Sequence, residues 1–585
     1  MGGLLDTVMR HYPALSVLVL ALVLAIIGTT TPWPAPADRP LSEFSAGRAM
    51  ADIRVIARGP HPAGSAAEAQ LRAYLVHRLA GLGMTVRTDT FVPDADRIAR
   101  DIDWGGPADR PHILTNVIAV LPGTNRALPA VALMAHYDSV AGSPAAADDG
   151  TGLAAILETV RAVGAGPRPP RDLVVLFTDG EEVGLDGARR FFAGLPPPAD
   201  PVRDHLGAVI NLESRGGGGR ATLFQTADHN GNAIALAAHA IHHPGGSSLA
   251  TYLYHVLPNN TDLSEALGWA AQHHAAAYNF AFIGRPALYH SPKATADRLD
   301  QGSVQDIGGQ TLDLTRALLG APEMPKPADD VVFFDLFGLT MVALPAFAGW
   351  IALVLAATAI GMIWHQCGRG RGHWRAALGG AGRILGLAGM TALLAMGANL
   401  VSFHVGGPNY YDRLAAIPRI EAMAVLSAMS AFFIVVARWR PMRAALVGAL
   451  VVCWLLGLAL QVLAPVAAYV VVVPVLLAAV IALLPGGVVW RVIAVVIAGG
   501  VVGYQFMLGH QLIQGVGSDL PLVAALPLVL ATVTILPLWH PLPRRSRRVA
   551  VLACGLAAVA IALMIRAAPI ADTIPAYSQT TRPVS

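Results

Sequence analysis

The sequence predicts two fold classes in one chain. One is an α/β domain with a mixed, mainly parallel sheet sandwiched by helices; the other is an α-helical transmembrane bundle. Three observations carry this. Residues 40–325 are rich in Asp, Glu, Arg, His, Gly and Pro, whereas the chain from about 333 onward is almost continuously apolar. Within the first stretch, short β-branched runs alternate with helical segments. Within the second, apolar runs of about 20 residues, the length needed to cross a hydrocarbon core, recur between short Arg- or Gly/Pro-rich links.

The elements follow in order. Residues 14–33 hold "ALSVLVLALVLAIIG" behind a head with Arg10 and His11, so 1–39 reads as a transmembrane anchor. The alternative is a cleaved signal segment, because "APA" at 35–37 resembles a small-residue cleavage site. On either reading residues 40–325 are exported. Ser65 shapes a turn before a helix over 67–82. The runs "ILTNVIAVL" (113–121), "AVALMA" (130–135) and "DLVVLFT" (172–178) lack 3.6-residue periodicity, as buried parallel strands do. "GLAAILETVRAV" (152–163) and "LDGARRFFAGL" (185–195) read as helices, and "GGGG" (216–219) as a flexible loop.

A membrane domain of about eight helices is expected over 333–570, with a tail over 571–585. With the first helix, the candidate spans lie near 14–33, 341–364, 384–402, 420–437, 444–463, 466–484, 488–508, 519–538 and 549–567. Alternate links carry "CGRGRGHWR" (367–375), "RWRPMR" (438–443), Arg491 and "RRSRR" (544–548), and the links between them are poorer in Lys and Arg. Basic links stay cytoplasmic. That rule puts the N-terminus inside, and 40–325 and the C-terminus outside. Polar residues within the spans are mainly Asn399, Gln461 and Gln505, and Arg383, Asp519 and Arg566 sit near span ends. The bundle therefore reads as an anchor or scaffold more than as a transport pathway.

Composition excludes several classes. Of 585 residues 14% are charged, the net charge is +3 and the mean hydropathy is +0.53, which fits an integral membrane protein. No basic patch interleaved with aromatics is present, so nucleic-acid binding is not expected. The three cysteines, Cys367, Cys453 and Cys554, all lie in the apolar half. They offer neither a disulfide framework nor a nucleophile to residues 40–325. A serine hydrolase is not expected either, for want of G-x-S-x-G.

The charged residues of the α/β part gather behind strands. In "MAHYDSVAGSPAAADDGTG" (134–152) an apolar run ends in His136, and Asp138, Asp148 and Asp149 follow; "DGEE" (179–182) follows a second run. Sheets of this kind bind ligands outside the carboxyl ends of their strands. Charges held there need solvent, a partner or a cation. Histidine and carboxylate are zinc ligands, and one carboxylate can bridge two metals about 3.5–4 Å apart. His136, Asp148, Glu181, Glu182, Glu213 ("INLESRG") and His290 ("YHSPKATAD") offer such a set. Taken singly, each has an ordinary structural reading. His136 could be a core histidine, Glu181 and Glu182 helix-start carboxylates, Glu213 a surface acid, His290 a loop histidine and Asp262 a turn or cap residue. His239, His242, His243, His255, His273 and His274 read as solvated or structural.

Six stretches carry a resemblance. "GPHPAGSAAEAQLRAYL", "HYDS", "DDGTG", "DGEEVGLDGARRF", "INLE" and "YHSPKATAD", in this order over roughly 60–310, resemble metallopeptidase family twenty-eight. That family comprises di-zinc aminopeptidases and glutamate carboxypeptidase-like enzymes with a zinc exopeptidase-like fold. One soluble domain between a single span and many spans further resembles its membrane-bound branch of endoplasmic reticulum metallopeptidases and vacuolar membrane proteases. The resemblance implies a membrane-anchored zinc exopeptidase acting on peptide substrates, with two zinc ions per chain. Asp148 would bridge the ions, with His136 and Glu213 completing one and Glu182 and His290 the other. Glu181 would be the general base and Asp138 the partner that orients His136. Many family aminopeptidases have Asp where this chain has Glu213, whereas the membrane branch resembles this chain in having Glu there. Ala294 replaces an expected acid after His290, which leaves Asp297 as its support. "NNTDLSEA" (259–266) resembles the substrate-side loop, with Asp262 its acid. A non-catalytic receptor or scaffold, and a zinc amide hydrolase or glutaminyl cyclase, remain alternatives.

Overall fold

The structure is a computed structural model that describes residues 2–103, 112–193, 200–368, 370–404, 409–439, 442–569 and 571. Beyond Ala571 the expected tail lies outside the described residues. So do 194–195 of the helix expected over 185–195, and Arg369, Arg440 and Pro441 of the basic links. The chain divides into two compact units: one comprises residues 30–345 with 409–415, the other 1–29, 346–408 and 416–570.

The first unit is built on a seven-stranded sheet. Its strands are β1 (Thr85–Phe91), β2 (Leu114–Leu121), β3 (Ala130–His136), β4 (Leu173–Thr178), β5 (Leu206–Ser214), β6 (Thr222–Thr226) and β7 (Ala276–Phe282), in the order β1-β2-β4-β3-β5-β7-β6. The central strands β4, β3, β5 and β7 run parallel, and β1, β2 and β6 join antiparallel. β2, read from sequence as one of the parallel strands, runs the other way. Only residues 122–129 separate it from β3, too few for the crossover that a parallel path needs.

Both faces are covered because side chains alternate along each strand. Val117, Val131, Leu133 and Val175 pack with Met50, Ile53, Leu153, Ile156, Val304 and Ile307 of the helices Ala46–Ile56, Gly150–Gly164 and Gln301–Gly320. Ile118, Ala132, Met134, Val174 and Leu176 pack on the opposite face with Phe191, Phe192, Leu263 and Trp269. The helix Ala66–Gly81 begins where Ser65 accepts the Glu68 N–H, an N-cap.

The apolar run from 333 does not begin in a membrane helix. Val331–Asp335 (β8) and Met341–Pro345 (β9) form an antiparallel hairpin. Phe337 and Gly338 both have positive φ, 57° and 71°, and the Leu339 N–H donates to the Leu336 carbonyl. Two adjacent positive-φ residues match the right-handed strand twist of a tight hairpin. "VVFF" is β-branched and aromatic, which suits a strand as well as a membrane span.

The second unit contains helices long and apolar enough to cross a membrane. Eight occur among the described residues: Tyr12–Thr29, Ala348–Gln366, Gly372–Val401, Tyr410–Val435, Arg443–Leu463, Val488–Val516, Pro521–Leu538 and Arg544–Arg566. The span expected at 466–484 is a helix of 15 residues, Tyr469–Leu483, with Pro465 and Pro485 on either side. The helix expected from 420 starts at Tyr410, and its first residues belong to the other unit. Glu421 and His510, not singled out in the sequence, pair at 2.7 Å.

Candidate metal centre

Chain order reverses direction at β3. From β3 the path steps to β4 on one side, then crosses back to β5 on the other. A cleft opens at such a switch point, beyond the strands' carboxyl ends. His136 is the last residue of β3, and Glu213 is the last but one of β5. Glu181 and Glu182 lie in the turn after β4, Asp148 just before the helix Gly150–Gly164, and His290 after β7 and a short turn at 286–288.

The fold brings these side chains together. His136, Asp148 and Glu213 form one group able to hold a metal ion, and Asp148, Glu182 and His290 form another. Asp148 is common to both. Its Oδ1 lies 3.1 Å from His136 Nε2 and its Oδ2 lies 3.4 Å from His290 Nε2. Glu213 Oε2 is 3.9 Å from His136 Nε2, and Glu182 Oε2 is 3.1 Å from His290 Nε2. Glu181 belongs to neither group.

Asp138 holds this arrangement from behind, and more broadly than the sequence suggested. Its carbonyl oxygen is 3.0 Å and its carboxylate 3.4 Å from His136 Nδ1, so that nitrogen donates outward and leaves Nε2 for the cleft. The same carboxylate accepts the backbone N–H of Glu181 at 3.0 Å and of Glu182 at 3.1 Å. One fully buried acid thus orients a histidine and the loop that carries both glutamates. Two further acids, Asp149 and Glu68, take structural places beside this arrangement. Asp149 caps the helix Gly150–Gly164 through the Gly152 N–H. Glu68 lies against Asp179, and the Asp179 carboxylate accepts from Tyr137 Oη and the Thr115 N–H. The "S-x-x-E" cap pattern at 65–68 was the available signal for Glu68.

Electrostatics point to a missing positive charge. Burial pushes Glu181, Glu182 and Glu213 above the usual carboxylate range, and neighbouring carboxylates add to it. Burial would also raise Asp148, but hydrogen bonds from His136 and His290 bring it down to about 2. Burial alone would lower His290; the charge of Glu182 and the bond to Asp148 instead raise it to about 9. Glu182 Oε1 and Glu213 Oε1 are buried without a hydrogen-bond partner. Buried carboxylate oxygens rarely stay unpaired, and a cation in each group would satisfy them. The residues therefore fit a metal.

Asp262 and Asp297 part company. Asp262 is buried at the start of the helix Asp262–His273, where Thr178 Oγ donates to it. Burial raises it to about 7, and its charge acts on Glu181 and Glu213, so it lies beside the site and is not a surface cap. Asp297 is exposed and bonds Thr295, which removes it as the support of His290. Of the other histidines, His242 pairs with Asp313 at the surface and His273 bonds the Trp269 carbonyl.

Comparison with known proteins follows the same segment. Residues 116–315 match the model of Peptidase family M28. Over 253 residues the chain is 30% identical to endoplasmic reticulum metallopeptidase 1 of Mus musculus, covering 42% of this chain and 27% of that one. Over 348 residues it is 28% identical to the vacuolar membrane protease of Yarrowia lipolytica, covering 56% and 33%. The match thus spans about a quarter to a third of these relatives' length. Among solved structures, an aminopeptidase from an Aneurinibacillus species aligns at a TM-score of 0.37 and 15% identity, over 50% of this chain and 99% of that one. Residues 116–315, which hold every candidate ligand, carry a peptidase family M28 domain.

Proposed function

We propose that the protein is a membrane-anchored metallopeptidase that holds two zinc ions and hydrolyses peptide bonds as an aminopeptidase. One observation carries the reading: the two oxygens of Asp148 face two different histidines, and each histidine has its own glutamate. A carboxylate placed this way suits a bridge between two cations. Bound zinc would polarise the substrate carbonyl and bring the acidity of an attacking water near neutrality.

The chain's own residues supply the rest. Glu181, outside both metal groups, made more basic by burial and held in place by the loop that Asp138 fixes, takes a proton from the attacking water and delivers it to the leaving nitrogen. Adjacent Glu182 faces the metal group, because neighbouring side chains of a turn point apart. Two divalent cations balance Asp148, Glu181, Glu182 and Glu213. Asp138 and Asp262 leave a negative surplus, which favours the ammonium of a peptide N-terminus over a C-terminal carboxylate. The arginine pattern of the links supports an orientation with the N-terminus cytoplasmic and the peptidase domain on the opposite side.

The test uses the full chain purified in detergent with aminoacyl-anilides, dipeptides and C-terminally free peptides blocked at the N-terminus. Hydrolysis of the first two, lost on chelation and on Glu181→Gln, is the expected result. Turnover that persists after either, or metal binding without turnover of any peptide, would overturn it. Cyclised or deamidated products would mark an amide hydrolase or cyclase instead.

A further inference from the structure

His290 lacks the acidic support that its neighbours in sequence would provide. Ala294 has no carboxylate, and Asp297 is exposed. The second nitrogen of a metal-binding histidine normally meets a carboxylate, a carbonyl or water, and that partner sets which nitrogen carries the proton. Here the Nδ1 of His290 lies 2.8 Å from the hydroxyl of Tyr411, a residue 121 positions away that is only 2% exposed. Residues 409–415 belong to the same compact unit as the peptidase sheet.

We propose that Tyr411 is a positioning residue for His290: its hydroxyl oxygen accepts the Nδ1–H and keeps Nε2 turned toward Asp148 and Glu182. This rests on the two-metal reading above. Further contacts hold the histidine and the tyrosine segment in place. The Tyr289 ring stacks on His290 with centroids 3.7 Å apart, so the imidazole is packed on a face as well as bonded at its edge. The side-chain oxygen of Asn409 accepts the N–H groups of Tyr411 and Asp412 at 3.0 and 3.2 Å, which fixes the helix start. Arg215, two residues after the ligand Glu213, donates to Tyr410 Oη at 3.0 Å and lies over that ring. The tandem "YY" at 410–411 therefore touches both ligand-bearing loops, one through Arg215 and the other through His290. An acceptor on a neutral phenol adds no charge to a site already crowded with carboxylates, whereas a second aspartate would.

The test compares wild type with Tyr411→Phe, which keeps the ring and removes the acceptor. Zinc affinity is read by chelator competition on the full chain in detergent, and the visible absorption of the cobalt-loaded protein reports ligand geometry. One of two zinc ions should bind about 10- to 100-fold more weakly in Tyr411→Phe, with the other within about twofold. One equivalent of the cobalt bands should shift, and the melting temperature of the zinc-free protein should be unchanged. Two zinc sites of unaltered affinity and an unaltered cobalt spectrum would overturn the assignment. So would equal weakening of both sites with a lowered zinc-free melting temperature, which marks a packing role. A wild-type protein that binds no zinc, or a single ion, would instead overturn the two-metal reading.

Discussion

Asp138 is the residue whose replacement is most informative, because its single carboxylate serves two loops. Asp138→Asn preserves shape and burial but substitutes an amide, whose NH2 group faces a donor wherever it replaces an accepting oxygen. The carboxylate now accepts from Glu181 N at 3.0 Å and Glu182 N at 3.1 Å, and stands 3.4 Å from His136 Nδ1. At least one of the two N–H groups must lose its acceptor. A hydrogen bond to a charged group is worth about 1.5–3 kcal/mol, and the amide recovers only part of the other. If about 2–3 kcal/mol of that falls on the active arrangement, kcat/KM drops about 30- to 150-fold at 1.36 kcal/mol per tenfold. Zinc affinity should fall by about 10-fold, the lower end of the cost of disturbing the partner of a metal-bound histidine, because the Asp138 carbonyl 3.0 Å from His136 Nδ1 survives the substitution. Steady-state kinetics at saturating zinc and chelator competition measure the two effects separately. A variant within about threefold of wild type in both would refute the reasoning.

Further outcomes follow from the same geometry. Glu181→Gln should lower kcat by at least about 10²-fold with zinc content retained, since Glu181 stands outside both metal groups; metal analysis beside kinetics checks it. Gly187→Ala should destabilise the peptidase unit and lower zinc content, because its Cβ would sit 2.4 Å from Asn116 Oδ1 and 2.6 Å from the Asp179 backbone, displacing the 179–182 turn; melting temperature and metal analysis report both. Glu68 is pushed up to about 12 by burial and by Asp179, so it stays protonated in the fold while the unfolded chain ionises above about 4.5. A raised carboxyl costs stability as pH rises past that unfolded value. Glu68→Gln removes the penalty, so its stability relative to wild type should climb between pH 5 and 8, by at most about 1.4 kcal/mol per unit. A variant whose relative stability is flat with pH in denaturant titrations contradicts this.

The parts legible in the sequence were those encoded within a few residues. His136 and Glu213 sit at or next to the end of a strand, Glu181 and Glu182 in the turn after one, and Asp148 and His290 in the loops that follow, and the strands announce themselves as apolar runs. A motif one turn long can therefore locate a ligand without the fold. What stayed hidden depends on contacts between distant segments. Asp297 was a reasonable guess because it is near His290 in sequence, yet the loop turns it to solvent; Tyr411 lies far away and arrives through the fold. The direction of β2 followed from a connection too short for a crossover, and apolar content alone does not reveal that. Residues 331–345 misled for a related reason, since a β-branched apolar run serves a hairpin and a membrane span alike until the Phe337–Gly338 turn is recognised. Glu421 and His510 are ordinary polar residues of two helices until packing pairs them.

Everything proposed about chemistry depends on Asp148 lying between two ions. X-ray absorption or anomalous diffraction on the zinc-loaded full chain measures that directly. The account predicts two zinc ions per chain about 3.5–4 Å apart, reduced to one or none in Asp148→Ala. A single ion in the wild type, or two more than about 6 Å apart with no shared carboxylate, would contradict it.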